Sequence, residues 1–555
     1  MSKIFAQLCF LASLLLPCAS PSLRAEPVSD DGLGWQLIRL DLDVTIAEGS
    51  DHLELAGRAW VRLDLEASTG PTLGMRSPMR FVEVEASDGA KIDVNAPHPR
   101  LDNVVLAHVR YDEPLHRGDV VQLDFSCRSE GSSATLRVTD RAAFTRWTSP
   151  WYPVTLPTPD DNTTRTYKAP GRTTFHLPTK WSAVSNGVRI QRSQSKSGAT
   201  DVWETKRALA RSFAAGPYEV GRHQVNGREV GVYLLTAKPT SAEKQAKTLV
   251  SALTALEERF GDYPFESLAI AEIPDDMAGW VAASQQGFIL AREVIFEAVG
   301  GNIPLFAHEA AHAWWGNLVS TKMPGAMVCS ESLAQYGAVI AIESIEGRDK
   351  ATEFLNYSRD FYIARQSARG LFEMLNEGKD APLAELKSGS WQHDFADAKG
   401  HWVFHMLREH IGDDLFFSTF RRVIERFSND AMSLSDLRQS FIDAAPDMQL
   451  PIFFEQWFDR KGAPVLEFDW WMAKDGESVR MEIEQQQAGE PYVLQLELEL
   501  EQSDGSTRIE TVNLNQSSQS FTINTENPIR SVRLDPEYKL LIWRPEYGPR
   551  PLASR

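Results

Sequence analysis

Residues 305–315 read Leu-Phe-Ala-His-Glu-Ala-Ala-His-Ala-Trp-Trp, a stretch without proline or glycine that is compatible with a helix. On a helix, residues four positions apart lie on one face, so His308 and His312 can reach a single ion. Zinc binds imidazole nitrogens at about 2.0–2.1 Å and keeps one position open for water in catalytic sites. Glu309, beside the first histidine, is placed to take a proton from that water as a general base. The spacing therefore predicts a catalytic zinc site on a helix.

A third ligand is available in Glu331, nineteen positions after His312. It opens a second apolar helix that continues through Leu333 and Ile340. A carboxylate that completes a two-histidine site is a standard catalytic zinc arrangement. The alternative interpretation is a structural helix with two hydrogen-bonded core histidines. Cys329 can in principle be a thiolate ligand, but we interpret it as a buried, inert cysteine, because this helix already presents a carboxylate.

Hydrophobic patterns outside this stretch divide the chain into three predicted domains. Residues 26–222 have the period-two alternation of half-buried strands, residues 223–464 mix strands with helices, and residues 465–555 return to strands. The predicted fold class is multidomain α+β. The alternating apolar residues of the first strand are Ile38, Leu40, Leu42, Val44 and Ile46, and those of a late strand are Leu494, Leu496, Leu498 and Leu500.

Local signals in the central region predict individual elements. Asn226-Gly227 predicts a hairpin turn, and Ser241–Phe260 has helical spacing. A further helical stripe comprises Val403, Met406, Leu407 and Ile411 and is ended by Gly412.

Composition bounds the class of protein. The 555 residues are 43% hydrophobic and 24% charged, which is typical of a globular chain of about three domains or a few more. The net charge of -19 does not supply the basic surface that binding to phosphate backbones needs, so we expect no nucleic-acid partner. Four cysteines in this length cannot form a disulfide scaffold.

The start of the chain predicts export. Residues 1–25 contain Lys3, then an apolar run from Ile4 to Leu16, then small residues up to Ala25. This layout is typical of a secretory signal peptide, although a buried N-terminal helix is the alternative. No later stretch is long and apolar enough to form a transmembrane segment. We therefore expect a periplasmic or secreted protein.

The pattern His308-Glu309-x-x-His312-x-Trp314-x-Gly316-Asn317, with Glu331 at this spacing, resembles the membrane-alanyl-aminopeptidase family of zinc metallopeptidases, in the thermolysin-like group. The resemblance covers most of the chain after residue 25 and includes four further segments: Ala214–Tyr218, Phe260–Phe265, Gln456–Val465 and Leu534-Asp535-Pro536. It implies an N-terminal β domain, a thermolysin-like α/β catalytic domain and a small C-terminal β domain.

The same resemblance implies the site and its substrate. One Zn²⁺ ion would be bound by His308, His312 and Glu331, with Glu309 as the general base and a peptide as the substrate. These implied roles agree with the chemistry of the spacing.

One departure from the family pattern affects substrate recognition. Ser284 stands where the family has a glutamate that grips the free α-amine of the substrate, just before the strand Gly287-Phe288-Ile289. A neutral hydroxyl does not supply the same charge, and an unpaired, desolvated ammonium costs several kcal/mol. The prediction of a metallopeptidase is therefore stronger than the prediction of an aminopeptidase.

A second departure affects the developing oxyanion. Asp397 stands where the family has a tyrosine, two positions before Lys399-Gly400. An ionised aspartate cannot donate a hydrogen bond to an oxyanion, and losing one donor costs on the order of a hundredfold in rate. His393 and His401 lie nearby in the sequence and are alternative donors, or else ordinary histidines.

Two functions remain in competition. The first is an exported zinc metallopeptidase, aminopeptidase-like; a variant of it is an enzyme whose changed amine site accepts blocked or internal peptide segments. The second is a family member that retains zinc but has little or no catalysis and acts as a binding protein. The complete set of three ligands and a base favours the peptidase.

Overall fold

The computed structural model describes residues 34–551 apart from 87–88, 100, 149, 157–167, 358–364, 388 and 475. The predicted signal peptide, residues 1–25, lies outside the described residues. Within these ranges, none of the helices combines the length and apolar character that a membrane crossing requires.

The first region is built almost entirely of strands, as its alternating pattern predicts. In chain order they are β1 (Trp35–Thr45), β2 (Glu54–Leu63), β3 (Ala67–Ser68), β4 (Thr72–Arg76), β5 (Met79–Ala86), β6 (Lys91–Pro97), β7 (Val104–Arg110), β8 (Leu115–His116), β9 (Val120–Ser129), β10 (Leu136–Val138), β11 (Ala143–Thr145), β12 (Val154–Thr155), β13 (Ala169–Leu177), β14 (Ser182–Ser185), β15 (Val188–Ser195), β16 (Gly198–Leu209) and β17 (Phe213–Gly216). A seven-stranded sheet has the order β15-β16-β13-β1-β2-β9-β5, and two four-stranded sheets have the orders β12-β4-β7-β6 and β10-β11-β17-β14.

Strand β1 differs from its prediction at one residue. Its pairing with β2 shifts register between Leu37 and Arg39, which is a β-bulge at Ile38. The extra residue moves the alternation by one position, so Leu37 is buried and Ile38 is only half-buried. The prediction that Ile38 shares the inner face with Leu40 is therefore wrong, because the bulge breaks the period of two.

The central region begins with a five-stranded sheet of order β18-β19-β20-β22-β21. Its strands are β18 (Glu219–Val225), β19 (Arg228–Leu234), β20 (Ser267–Ile273), β21 (Ala282–Ser284) and β22 (Phe288–Arg292). β19, β20 and β22 are parallel, whereas the edge strands β18 and β21 pair antiparallel. The predicted turn Asn226-Gly227 joins β18 to β19, and its residues have φ values of 51° and 76°.

The central sheet is covered on both faces. All seven residues of β20 are buried, as expected for a parallel strand between two layers. Leu268 and Ile270 pack with the helices, whereas Ala269 and Ala271 pack with the N-terminal strands. The N-terminal β region therefore forms one wall of the layer that carries the candidate site.

Helices dominate the rest of the central region. They are α1 (Ala242–Phe260), α2 (Ile303–Ala311), α3 (Leu333–Glu346), α4 (Arg348–Asn356), α5 (Ala368–Asn376), α6 (Ser390–Ile411), α7 (Asp413–Phe427), α8 (Leu434–Ala444) and α9 (Leu450–Phe454), with a two-stranded sheet of β23 (Ser320–Thr321) and β24 (Ala431–Met432). Ser241 precedes α1, and the predicted apolar stripe of α6 is buried. Gly412, with φ of 82°, follows α6 as predicted.

The last region has strands β25 (Leu466–Met472), β26 (Ser478–Gln485), β27 (Leu494–Gln502), β28 (Thr507–Leu514), β29 (Ser518–Asn524) and β30 (Ile529–Leu534). They form two three-stranded sheets of order β25-β26-β29 and β28-β27-β30. The chain then returns to the helices, where the Tyr547 ring stacks on Phe372 at 5.7 Å and its hydroxyl bonds Asn356. Asn376 donates to the carbonyl of Pro549 at 2.8 Å. The predicted α+β class with an N-terminal β region is confirmed.

Candidate active site

Helix α2 presents His308 and Glu309, with His312 immediately after its last residue. The side chain of Asn302 caps the helix by accepting from the backbone of Leu305 at 3.1 Å, and Pro304 lies in its first turn. The helix is shorter than the stretch 305–315 suggests, because the chain enters tight turns at His312 and Gly316 takes φ of 105°. The backbone bond from His312 to His308, at 3.3 Å, still places both rings on one face.

Glu331 lies in a π-helical turn, Val328–Ser332, that runs directly into α3. π turns insert one extra residue into a helix and recur at functional sites. Helix α3 passes very close to α2, since a Cβ built on Gly337 would lie 2.6 Å from the Cβ of Ala311. Helix α6 holds the turn from the other side, where the hydroxyl of Ser332 donates to the carbonyl of Ala396 at 2.6 Å.

The three predicted ligands meet at one point. Glu331 Oε2 is 3.3 Å from His312 Nε2 and 3.8 Å from His308 Nε2, and the three ligand atoms lie within 4.8 Å of one another. His308 Nδ1 is 2.8 Å from the side-chain oxygen of Gln335, and His312 Nδ1 is 3.0 Å from the carbonyl of Trp315. Because these oxygens accept from Nδ1, both Nε2 lone pairs are free to face an ion. The donor set and its outer hydrogen bonds fit zinc.

The charges where the three predicted ligands meet favour a bound cation. Burial by itself would lower the pKa of His312, but the Glu331 carboxylate outweighs it and raises that pKa to about 9. Burial would raise the pKa of Glu331, but His312 and His393 outweigh it and hold that pKa well below its usual range. The carboxylate therefore stays ionised and attracts positive charge to the meeting point of the three side chains.

Glu309 lies beside the predicted ligands and lines the same cleft. It is 7% exposed, and its Oε2 has no hydrogen-bond partner among the described residues. Burial raises its pKa, although His308 and His312 act in the opposite direction. A free carboxylate oxygen with a raised pKa suits a group that accepts a proton during a reaction.

The cleft above these residues has a volume of about 800 Å³. Residues of the N-terminal β region, of β21 and of α6 line it. Ser284 is among them, and its hydroxyl is 3.3 Å from the side-chain nitrogen of Asn317. No carboxylate of the described residues replaces it on β21.

Helix α6 distinguishes the two candidate histidines. His393 lines the cleft, with Nε2 3.1 Å from Glu331 and Nδ1 3.3 Å from Asp397. Asp397 is fully buried behind it, and its charge raises the pKa of His393 to about 12. His401 is fully buried away from the cleft lining, where burial lowers its pKa to about 4. His393 and His401 are eight positions apart, which on an α-helix is roughly 80° more than two full turns, so the two side chains lie on different faces of α6.

Cys329 is buried, as predicted, and burial raises the pKa of its thiol to about 12. It does not belong to the ligand cluster of the described residues. Gln335 and Arg146 also border the site, and the sequence analysis missed both. A signal existed only for Gln335, which follows Glu331 by four positions and so shares its helical face.

Comparison with known proteins identifies the central region. Residues 247–457 match the peptidase family M1 domain, and this range contains all three predicted ligands and Glu309. The central region of the chain is therefore similar to the M1 peptidase domain. The predicted relationship to the membrane alanyl aminopeptidases is thereby confirmed.

Individual M1 relatives are distant. An aminopeptidase N of Lactococcus lactis is 25% identical over 43% of this chain and 29% of its own length. The aminopeptidase M1 of Arabidopsis thaliana is 24% identical over 57% of this chain and 36% of its own. A Legionella pneumophila aminopeptidase A, solved in complex with aspartic acid, superposes with a TM-score of 0.61 over 92% of this chain and 59% of that one, at 16% identity. The chain thus spans well under half the length of these two sequence relatives.

Proposed function

We propose that this protein is a zinc-dependent peptidase that hydrolyses peptide bonds in the cleft above α2. The observation that carries the proposal is the convergence of His308, His312 and Glu331 beside Glu309 on one cleft floor. A structural metal site needs no carboxylate that lines an 800 Å³ cleft and has no hydrogen-bond partner among the described residues. The match of residues 247–457 to the M1 peptidase domain supports the same reaction.

His308, His312 and Glu331 would hold one Zn²⁺, which supplies Lewis-acid polarisation of the scissile carbonyl and a more acidic water. Glu309 takes the proton of the attacking water with its unpaired oxygen and passes it to the leaving amine. His393 donates from Nε2 to the carbonyl oxygen as that oxygen gains negative charge. Both of its nitrogens face carboxylates, Glu331 and Asp397, so both carry protons.

Fewer observations support selectivity for a free N-terminus than support hydrolysis of peptide bonds. The named relatives are aminopeptidases, but the position of the amine-gripping glutamate holds Ser284, whose hydroxyl contacts Asn317. We infer an aminopeptidase-like enzyme whose selectivity for a free N-terminus is reduced.

A second candidate function is a zinc-bearing binding protein with little turnover. Ser284 and Asp397 favour it, because two family groups that contact substrate are replaced. His393 and the retained base Glu309 argue against it, since a binding protein needs neither a donor nor a base.

The test is mass spectrometry of a peptide pool incubated with the zinc-loaded protein. Half of the peptides carry free N-termini and half are acetylated, and the Glu309→Gln protein is the control. Cleavage that Glu309→Gln abolishes supports the peptidase. Trimming of free peptides only would establish an aminopeptidase, cleavage of acetylated peptides would establish altered specificity, and no turnover above the control would support the binding protein.

We also propose that the protein is exported to the periplasm or secreted, on the strength of the leader pattern in residues 1–25. Sequencing the N-terminus of protein made in its native host tests this. A mature chain that still begins at Met1 and stays in the cytoplasm would contradict the proposal.

A further inference from the structure

A cationic shelf lines part of the cleft. It consists of Arg146, Trp147 and Trp280, all of which line the cleft together with Glu309. The Arg146 guanidinium lies 4.8 Å from the centre of the Trp280 ring, and Trp280 in turn packs edge-on against Phe144 at 5.9 Å. We call these three residues the Arg146 shelf.

The shelf is held firmly to the strand that carries Ser284. The backbone of Trp147 donates to the side chain of Gln285 at 3.1 Å, and its ring nitrogen donates to the carbonyl of Ser284 at 3.3 Å. Arg146 follows β11, so the N-terminal β region supplies this part of the cleft. Its guanidinium therefore lines the same cleft as Ser284, the position where the family pattern has an anionic group.

The Arg146 charge has no ion-pair partner among the described residues. The side chain is half-buried, and within the described part of the chain its Nε has no hydrogen-bond partner and no carboxylate lies within ion-pair distance of it. Burial lowers its pKa and the Glu309 charge opposes that effect, but a guanidinium remains charged at neutral pH. Leaving a half-buried cation unpaired is costly, which favours an external anion as its partner.

We propose that Arg146 binds a carboxylate of the substrate, so that the cleft selects peptides by a negative charge. The planar fork of a guanidinium fits a carboxylate with two parallel hydrogen bonds, and the Trp280 ring holds that fork in place. The same charge repels a free α-amine at the Arg146 shelf, in keeping with Ser284 in place of glutamate. The statement that the bound molecule is a peptide substrate rests on the proposed function, whereas the binding of a carboxylate by Arg146 does not.

Two sources of carboxylate fit the shelf, an acidic side chain and a free C-terminus. Calorimetry on the zinc-loaded Glu309→Gln protein separates them with matched peptides. One arm compares Glu-Ala-Ala-amide with Gln-Ala-Ala-amide, and the other compares Ala-Ala with Ala-Ala-amide. Both arms are repeated on the chelator-treated protein, because a carboxylate can also bind to the metal directly.

We expect the acid form to bind at least tenfold more tightly than its neutral partner in one arm, with or without metal. Arg146→Gln should reduce that ratio to about one, and Arg146→Lys should retain part of it. The control is Arg141→Gln, an exposed arginine outside the cleft that pairs with Asp276 at 2.5 Å, and it should retain the full ratio.

Equal binding of acid and neutral peptides in both arms, or an unchanged ratio in Arg146→Gln, would overturn the proposal. Arg146→Lys keeps the charge, so it guards against misreading a folding defect. If the protein cleaves no peptide but keeps an Arg146-dependent ratio, the peptidase proposal fails and the carboxylate site stands.

Discussion

At the scale of single residues, the most informative arrangement is the pair His393 and Asp397. In the M1 pattern the position of Asp397 belongs to a tyrosine, yet the structure buries Asp397 completely and brings His393 to the cleft. The two residues are one helical turn apart on α6, so the donor in the proposed mechanism lies four positions before the family's tyrosine position. We interpret Asp397 as a positioning residue that orients the imidazole.

We predict that His393→Phe lowers kcat by about a hundredfold, because the oxyanion loses its donor. Asp397→Asn should lower kcat by about tenfold with little change in KM, since the ring loses its orientation but the peptide-binding walls are untouched. The decisive measurement is the double variant. It should be no slower than His393→Phe alone, and additive losses would mean that Asp397 does not act through His393.

Gln335 gives a prediction for metal affinity. Its side-chain oxygen fixes the Nδ1 side of His308, so Gln335→Leu should weaken zinc binding by about tenfold to a hundredfold. Competition with a chromophoric chelator measures the affinity. Gln366 lines the same cleft but bonds to neither histidine, so Gln366→Leu is the matched control. An equal loss of zinc affinity in that variant would contradict the role assigned to Gln335.

The residue-scale chemistry was accessible from sequence only where the geometry is local. The spacing of His308 and His312 is a property of one helical turn, so it predicts a shared face directly. Arg146 lies more than 130 positions before Ser284, and their proximity depends on how two sheets pack. Nothing in a linear pattern encodes that packing.

At the scale of elements, two helix contacts position the site. Gly337 lets α3 approach α2, and Gly400 lets α6 approach the π turn, where a Cβ would lie 1.9 Å from the hydroxyl oxygen of Ser332. The predicted elements α1 and α6 agree with the structure because long amphipathic patterns survive tertiary packing. The π turn and the bulge at Ile38 were missed, because a single inserted residue leaves the hydrophobic pattern almost unchanged.

We predict that Gly337→Ala lowers the free energy of unfolding by about 1–3 kcal/mol, because the added methyl overpacks the α2–α3 contact. Zinc affinity should fall with it, because Glu331 lies in the π turn that leads into α3 and the histidines lie on or directly after α2, so the ligands separate with the helices. Denaturant unfolding and zinc titration measure both effects. Gly279→Ala is the control, because its Cβ would meet no atom within 4 Å, and equal destabilisation there would refute the packing argument.

At the scale of the whole molecule, the three regions share contacts that their sequence boundaries conceal. Strand β20 packs on both the helices and the N-terminal strands, and residues 541–547 pack back onto α5 after the last β region. Composition and periodicity correctly predict the α+β class, but they carry no information on which faces meet. That is determined by complementary shape across sheets.

We predict that Tyr547→Ala lowers the free energy of unfolding by about 3–5 kcal/mol, because it removes a buried ring stacked on Phe372 and a bond to Asn356. Tyr547→Phe keeps the ring and should cost only about 1 kcal/mol. Chemical denaturation measures the two variants. A negligible effect of Tyr547→Ala would mean that this segment is not part of the helical core.

Residues 541–549 pack against helices that are synthesised much earlier, which has a consequence for folding during translation. Pro549 is synthesised 173 positions after Asn376, to which it is hydrogen-bonded. Until then the surface around Phe372 lacks its covering segment. At about 5–20 residues per second, the delay is roughly 10 to 35 seconds for each new molecule. We therefore expect nascent chains to expose the apolar surface around Phe372 until residues 541–549 have been made, and a holding chaperone to bind them during that interval.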